Sequence, residues 1–276
     1  MVTIVQIKMG DTKEARDQAA AMTFSWSENV RYAVPGFLFF VQNNLSFLAL
    51  TQLSNSAFQL LLNTRIISIA MLGYLMLGKR LNAVEWVAVV LCTVGATQYN
   101  LSSCTTGELN VSVEGLLIML VIICSAAAGN VYTQLVMQKK MNQPLMFQNA
   151  QLYVYGIVFN GINWIFSARS EPAFGAVGAV QVLSMVFYAL YGLSISIVLK
   201  RFGAMTRTFI NAAAIVLNAA LDVTFFGDSI SVLEATCFAV ILSAIFLYSN
   251  LAKDYKPAAA LPSARARVPS GPDAGA

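Results

Sequence analysis

Gly78 to Tyr99 reads GKRLNAVEWVAVVLCTVGATQY, and Gly227 to Tyr248 reads GDSISVLEATCFAVILSAIFLY. The second stretch begins 149 residues after the first, and at that spacing Gly78, Glu85 and Tyr99 coincide with Gly227, Glu234 and Tyr248. Leu81 and Ile230 match in type, as do Val89 and Phe238. An odd number of apolar segments lies between the copies. Each membrane crossing reverses the chain, so copies spaced by an odd number of crossings stand upside down to one another. Inverted repeats of this kind underlie many alternating-access carriers.

The surrounding composition supports the membrane reading. Of 276 residues, 58% are hydrophobic and 11% charged, and the mean hydropathy is +0.67, far from the balance of a soluble domain. Runs close to the ~20 residues that span a bilayer fall at 35–53, 55–77, 81–99, 113–137, 148–168, 178–199, 205–226 and 231–250. They predict an all-α polytopic membrane protein with about eight transmembrane helices. Gly78–Asn82, Asn142–Pro144, Glu171–Pro172 and Gly227–Ser229 punctuate them. A soluble bundle would need polar outer faces, which these segments lack.

Used as a ruler, the repeat places the mate of 178–199 at about 29–50, on the first helix. The mates of 113–137 and 148–168 fall before the chain or within its polar head. The expectation is a transmembrane domain over 32–250, with a three-helix first half-repeat (32–100) and a five-helix second one (113–250). It is then part of a ten-helix inverted-repeat fold, lacking the first two helices.

Alternate connections carry Lys79 and Arg80, Lys139 and Lys140, and Lys200 and Arg201. The head adds Lys8, Lys13, Arg16 and Arg31, and the tail Lys253, Lys256, Arg265 and Arg267. The other connections hold Glu108, Glu114, Glu171 and Asp228, with Arg169 the single exception. The positive-inside rule puts both termini in the cytosol. Residues 1–31 read as a polar cytosolic segment, and 251–276 as a disordered cytosolic tail rich in Pro, Ala and Arg. Sequons at Asn100 and Asn110 fall on the opposite side, as a lumenal loop requires.

With no histidine and four scattered cysteines, a nitrogen- or sulfur-ligated metal centre and a Ser-His or Cys-His nucleophile have no residues to build on. Neither enzyme chemistry nor a cofactor is expected. Cys92, Cys124 and Cys237 read as small core residues in apolar helices.

Polar groups inside the bilayer are costly and mark function. Arg65 lies mid-span, about ten residues from either end of 55–77, too deep to reach water. Asp222 is the only acid that approaches it in depth, and it lies nearer the lumenal end. Gln42, Asn43 and Asn44 form a run of amides, followed by Asn130, Tyr132, Gln148, Asn149, Gln151 and Tyr153. Lys200, Arg207, Asn211, Asn218 and Asp222 occupy the later helices. For the isolated amides, interhelical hydrogen bonding explains as much as ligand binding does. Core cations outnumber core acids, which favours an organic anion, and Arg65 has the planar fork that grips phosphate. Lys200 reads equally as a second phosphate contact or as a positive-inside anchor.

Tyr32-Ala-Val-Pro-Gly, Val41-Gln-Asn-Asn-Leu-Ser, Phe58-Gln59 and Leu75-Met-Leu-Gly-Lys-Arg-Leu resemble the nucleotide-sugar transporters of the drug/metabolite transporter superfamily. Asn130-Val-Tyr-Thr, Gln148-Asn-Ala-Gln-Leu-Tyr and Val198-Leu-Lys200 carry the likeness through the second half. The nearest subgroup is that of the CMP-sialic acid and UDP-galactose transporters. The resemblance implies a ten-helix Golgi antiporter that exchanges a cytosolic nucleotide sugar, of pyrimidine type, for a lumenal nucleoside monophosphate. By motif, Asn43, Asn149 and Tyr153 correspond to residues around the nucleotide, and Arg65 and Lys200 to phosphate-binding lysines. Phe58 and Phe39 stand where members carry Tyr, Asn130 where they carry Gly, and Tyr155 where the sialic acid type has a small residue. The substrate-binding set the resemblance implies is Asn43, Phe58, Arg65, Asn130, Asn149, Tyr153 and Lys200. The implied partners are the two nucleotides, the lipid bilayer and a homo- or hetero-oligomer, without nucleic acid. Two other readings stay open: a superfamily carrier for another organic anion, and a truncated, non-transporting membrane protein that serves as an assembly partner.

Overall fold

The computed structural model describes residues 26–102, 111–167, 178–227 and 230–251. Most of the polar head, Cys104, the Asn110 sequon and the tail beyond Leu251 lie outside the described residues. A short helix Trp26–Asn29 and a 3-10 turn Val30–Tyr32 lead into α1 (Ala33–Gln52). Then follow α2 (Asn55–Asn63), α3 (Arg65–Leu77), α4 (Ala83–Ser102), α5 (Val113–Lys139), α6 (Leu145–Phe166), α7 (Ala179–Arg201), α8 (Ala204–Phe226) and α9 (Val232–Phe246). A π-helical turn, Leu247–Leu251, ends the described chain. Among the described residues there is no strand, only an isolated bridge between Leu53 and Val111.

Among the described residues, six spans are long and apolar enough to cross a bilayer, with α2 and α3 together making one of them. The remaining two expected spans, α4 and α6, have the length, 20 and 22 residues. They carry more polar side chains: Glu85 at the start of α4, and Gln148, Asn149, Gln151, Asn160 and Asn163 along α6. At ~1.5 Å per residue each reaches the ~30 Å of a hydrocarbon core. The fold is thus that of an all-helical polytopic membrane protein.

Helix α5 is the central element and the most buried span. It packs along α1 and α3 and touches α7. At Gly129 an added Cβ would stand 3.0 Å from the Phe39 ring, so a small residue there lets α1 and α5 approach closely. The neighbouring glycine does the work that the family pattern assigns to position 130. Cys92 and Cys237 are buried as expected, whereas Cys124 is exposed on the outer face of α5.

The repeat identities have a physical basis. Gly78 and Gly227 close α3 and α8 in the left-handed conformation, with φ of 66° and 73°, where glycine avoids the Cβ penalty. Each next helix begins with a reciprocal capping box. The Glu85 amide donates to Asn82 Oδ1 at 2.7 Å while Glu85 Oε2 accepts from the Asn82 amide at 2.7 Å. Ser231 and Glu234 repeat this at the head of α9, at 3.2 Å and 2.8 Å.

Helices α4 and α9 then pack antiparallel. Tyr99 meets the Phe238 ring at 5.5 Å between centroids, and Gly95 leaves only 2.9 Å between a notional Cβ and Ile241. Glu85 and Tyr248 share a cleft of about 250 Å³ with Ala70, Gly73 and Leu81. Glu234 and Tyr99 share one of about 260 Å³ with Ala219, Asp222 and Ile230, their counterparts 149 residues away. One cleft opens at the end bearing Lys79 and Arg80, and the other at the end bearing Asp222. We call these the basic and acidic ends.

Candidate functional site

The second span breaks at its centre. Thr64 forms a turn between α2 and α3, its amide donating to Leu61 O at 3.1 Å instead of continuing the i to i−4 ladder. Its hydroxyl also donates to Leu61 O, at 2.7 Å, the local competition that makes Thr a helix disruptor. Arg65 is the first residue of α3. Its guanidinium is therefore joined by a half-helix N-terminus, whose free amides favour negative charge.

Arg207 stands in the first turn of α8. That helix starts at Gly203, with φ of 95°, and the Gln134 side chain of α5 caps it, Oε1 accepting from the Ala204 amide at 2.8 Å. A Cβ on Gly203 would lie 2.6 Å from Gln134 Nε2, so cap and glycine require one another. Arg207 and Arg65 are near enough to repel. Arg207 Nε is buried without a partner.

Both arginines line a cavity of about 490 Å³, within the range of small-molecule sites. Helix α1 contributes Phe39, Phe40, Gln42 and Asn43; α5 contributes Asn130 and Thr133; α6 contributes Tyr153 and Asn160; α7 contributes Tyr188, Tyr191 and Ser196. Among the described residues, no carboxylate lines it. Asn130 donates to Ala126 O at 2.7 Å and leaves its buried Oδ1 unpaired. Tyr153 leans on α7 where Gly192 has no side chain, its hydroxyl 3.0 Å from the position a Cβ would take. The arrangement provides two fixed cations, several amides and a set of aromatic faces, suited to a phosphate joined to a planar ring.

Of the seven residues chosen from sequence, Asn43, Arg65, Asn130 and Tyr153 line this cavity. Phe58 instead packs with Ala49, Leu53 and Met119. Asn149 is buried one turn from Tyr153 on the same face of α6, with both side-chain polar atoms unpaired. Lys200 is buried too, and its Nζ donates to Gln143 O, while Gln138 Nε2 bonds the Leu199 and Lys200 carbonyls at 3.3 Å. These contacts tie α7 to the α5–α6 turn. Arg207 is the cavity cation that the choice of Lys200 passed over. A signal for it existed, since Arg207 lies 149 residues after Phe58 and so occupies the chosen position in the other copy.

A helical array with a cationic, aromatic cavity at a broken span defines a polytopic membrane protein with a central polar cavity. The comparisons are more specific. Residues 1–249 match the nucleotide-sugar transporter family, and the chain belongs to that family. It is 25% identical over 232 residues to CMP-sialic acid transporter 2 of Oryza sativa subsp. indica, covering 83% of this chain and 65% of that one. It is 30% identical over 222 residues to a Danio rerio protein named "Probable UDP-sugar transporter protein SLC35A4", covering 79% and 70%. The chain thus spans about two thirds of the length of such relatives. A solved crystal structure shares the fold, with a TM-score of 0.65 at 17% identity over 85% of this chain and 80% of that one.

Proposed function

We propose that the protein binds a nucleotide sugar in the central cavity and exchanges it for a nucleoside monophosphate across the Golgi membrane. The observation that carries this reading is that Arg65 and Arg207 share a cavity whose lining, among the described residues, has no carboxylate. Such a site retains a phosphate-bearing anion and rejects a cation. Phe39, Phe40 and Tyr153 offer faces for a base, with pyrimidine favoured by the relatives' names, and Asn43 and Asn130 offer amides to its edge.

Exchange is the economical mode for such a site. Without a ligand the cavity holds two repelling cations and one unpaired amide oxygen, Asn130 Oδ1, so either anion lowers the energy of the state that reorients. The crosswise α4–α9 contacts give the two half-repeats equivalent hinges at opposite ends. The basic end faces the cytosol by the positive-inside rule, which places both termini there. The Golgi membrane as the site of action rests on the family resemblance.

The test is uptake into vesicles reconstituted with the full chain. Vesicles preloaded with CMP or UMP are expected to accumulate the matching radiolabelled nucleotide sugar several-fold faster than empty ones, and Arg65→Ala is expected to abolish the difference. Equal uptake by loaded and empty vesicles would refute exchange. Uptake indifferent to Arg65 would remove the cavity from the mechanism.

A further inference from the structure

A second cavity, of about 100 Å³, lies at the basic end between the lead-in to α1, the last turns of α5, the α5–α6 turn and the start of α6. It shares no lining residue with the central cavity. Its charges do not cancel. Lys140 pairs with Glu28, the one acid in the lining, whereas Arg31 and Lys139 have no carboxylate partner among the described residues. Gln143 and Gln151 also line it, each more than nine-tenths buried with a side-chain oxygen that meets no donor. An amide can exchange its O and N by rotation, so either can present its N–H groups to an anion. Two unpaired cations and two unsatisfied buried amides make a binding site for one tetrahedral anionic group.

We propose that this cavity holds the phosphate of an anionic phospholipid head group. Its position decides for lipid over a soluble anion. Helix α5 has 27 residues, roughly 40 Å at 1.5 Å per residue, against a hydrocarbon core of ~30 Å. Its last turn, with Lys139, therefore emerges at the level of the head groups. Trp26, 74% exposed on the lead-in helix, is the residue type that settles at that interface. Basic pockets between helix ends are where acidic lipids bind, and adjoining basic residues strengthen the attraction. A volume of about 100 Å³ accommodates a phosphate. A lipid seated here would pin the lead-in to α1 against α5 and α6, three helices that also wall the central cavity.

The experiment uses the purified full chain in phosphatidylcholine mixed micelles, with thermal unfolding and native mass spectrometry as readouts. Adding phosphatidic acid is expected to raise the unfolding midpoint and to leave one retained lipid per chain. The Arg31→Gln/Lys139→Gln double variant should unfold like the parent in pure phosphatidylcholine. It should bind phosphatidic acid roughly tenfold or more less tightly, two interfacial charges being lost. Glycerol 3-phosphate, the same head group without acyl chains, should give no shift. A full shift in the double variant overturns the site, a shift from glycerol 3-phosphate assigns it to a soluble phosphate, and a shift from phosphatidylcholine alone removes the need for charge. Any of the three ends the proposal.

Discussion

Arg65 and Arg207 repel one another at the wall of a cavity that no carboxylate lines among the described residues. Two like charges in a low-dielectric setting destabilise the empty site. The protein retains them because Gln134 and the Thr64 break fix the elements that carry them. An anion relieves the repulsion on binding.

Arg207→Ala is expected to weaken substrate binding as much as Arg65→Ala, by about 1.5–3 kcal/mol for a lost charge-assisted bond, or roughly 10–150-fold. Arg207→Lys should recover only part of this, since an ammonium lacks the planar fork. Concentration-dependent uptake, or displacement of bound CMP, measures both. An Arg207→Ala protein with parental affinity would show that this cation serves the scaffold alone.

Lys200 carries the opposite expectation. Its ammonium is buried against the Gln143 carbonyl, so Lys200→Met removes a strap between α7 and the α5–α6 turn. We expect a lower unfolding midpoint, from about 1–3 kcal/mol of lost stability, with nearly unchanged substrate affinity in the molecules that fold. A large rise in KM at parental stability would return Lys200 to the substrate.

The helical class, the spans and the repeat were legible because hydropathy and spacing are local signals. Glu85 and Glu234 were visible as coincident letters, and the structure shows why: each opens a helix through a capping box. Arg65 was legible because a charge far from both ends of a span has few explanations. The break at Thr64 was not, since Thr236 makes the same hydroxyl bond to a carbonyl three residues back without breaking α9. Arg207 was hidden by its nearness to a helix end, where a cation looks like an anchor. Only the packing of α8 against α3 turns it inward. Phe58 went the other way: its motif placed it near the nucleotide, and its ring lies among Ala49, Leu53 and Met119.

Gly192 sets the position of Tyr153. Gly192→Ala would put a methyl 3.0 Å from the phenolic oxygen, tighter than an ordinary contact, and displace the ring by a few tenths of an ångström. Binding should weaken by about 1 kcal/mol, and Tyr153→Phe in the same chain should restore the room. A double-mutant cycle on affinity reads the coupling. Strict additivity of the two changes would mean that Tyr153 does not depend on Gly192 for its place.

Gly203 and Gly161 predict opposite signs for the same substitution. At Gly203, with φ of 95°, an alanine meets backbone strain of about 1–3 kcal/mol and a Cβ clash with Gln134 Nε2 at 2.6 Å. Gln134 cannot yield without releasing the Ala204 amide, worth about another 1 kcal/mol as a helix cap. Gly203→Ala should therefore lower the unfolding midpoint substantially, and it should weaken anion binding because Arg207 sits in the turn that shifts. Gly161 lies within α6 with nothing inside 4 Å of its notional Cβ. There alanine brings only its helix propensity, a gain of about 0.5–1 kcal/mol. Thermal unfolding of the two variants in the same micelles decides the matter: a neutral Gly203→Ala would mean that α8 does not depend on the left-handed start and the Gln134 cap, and with it would go the account of how Arg207 reaches the cavity.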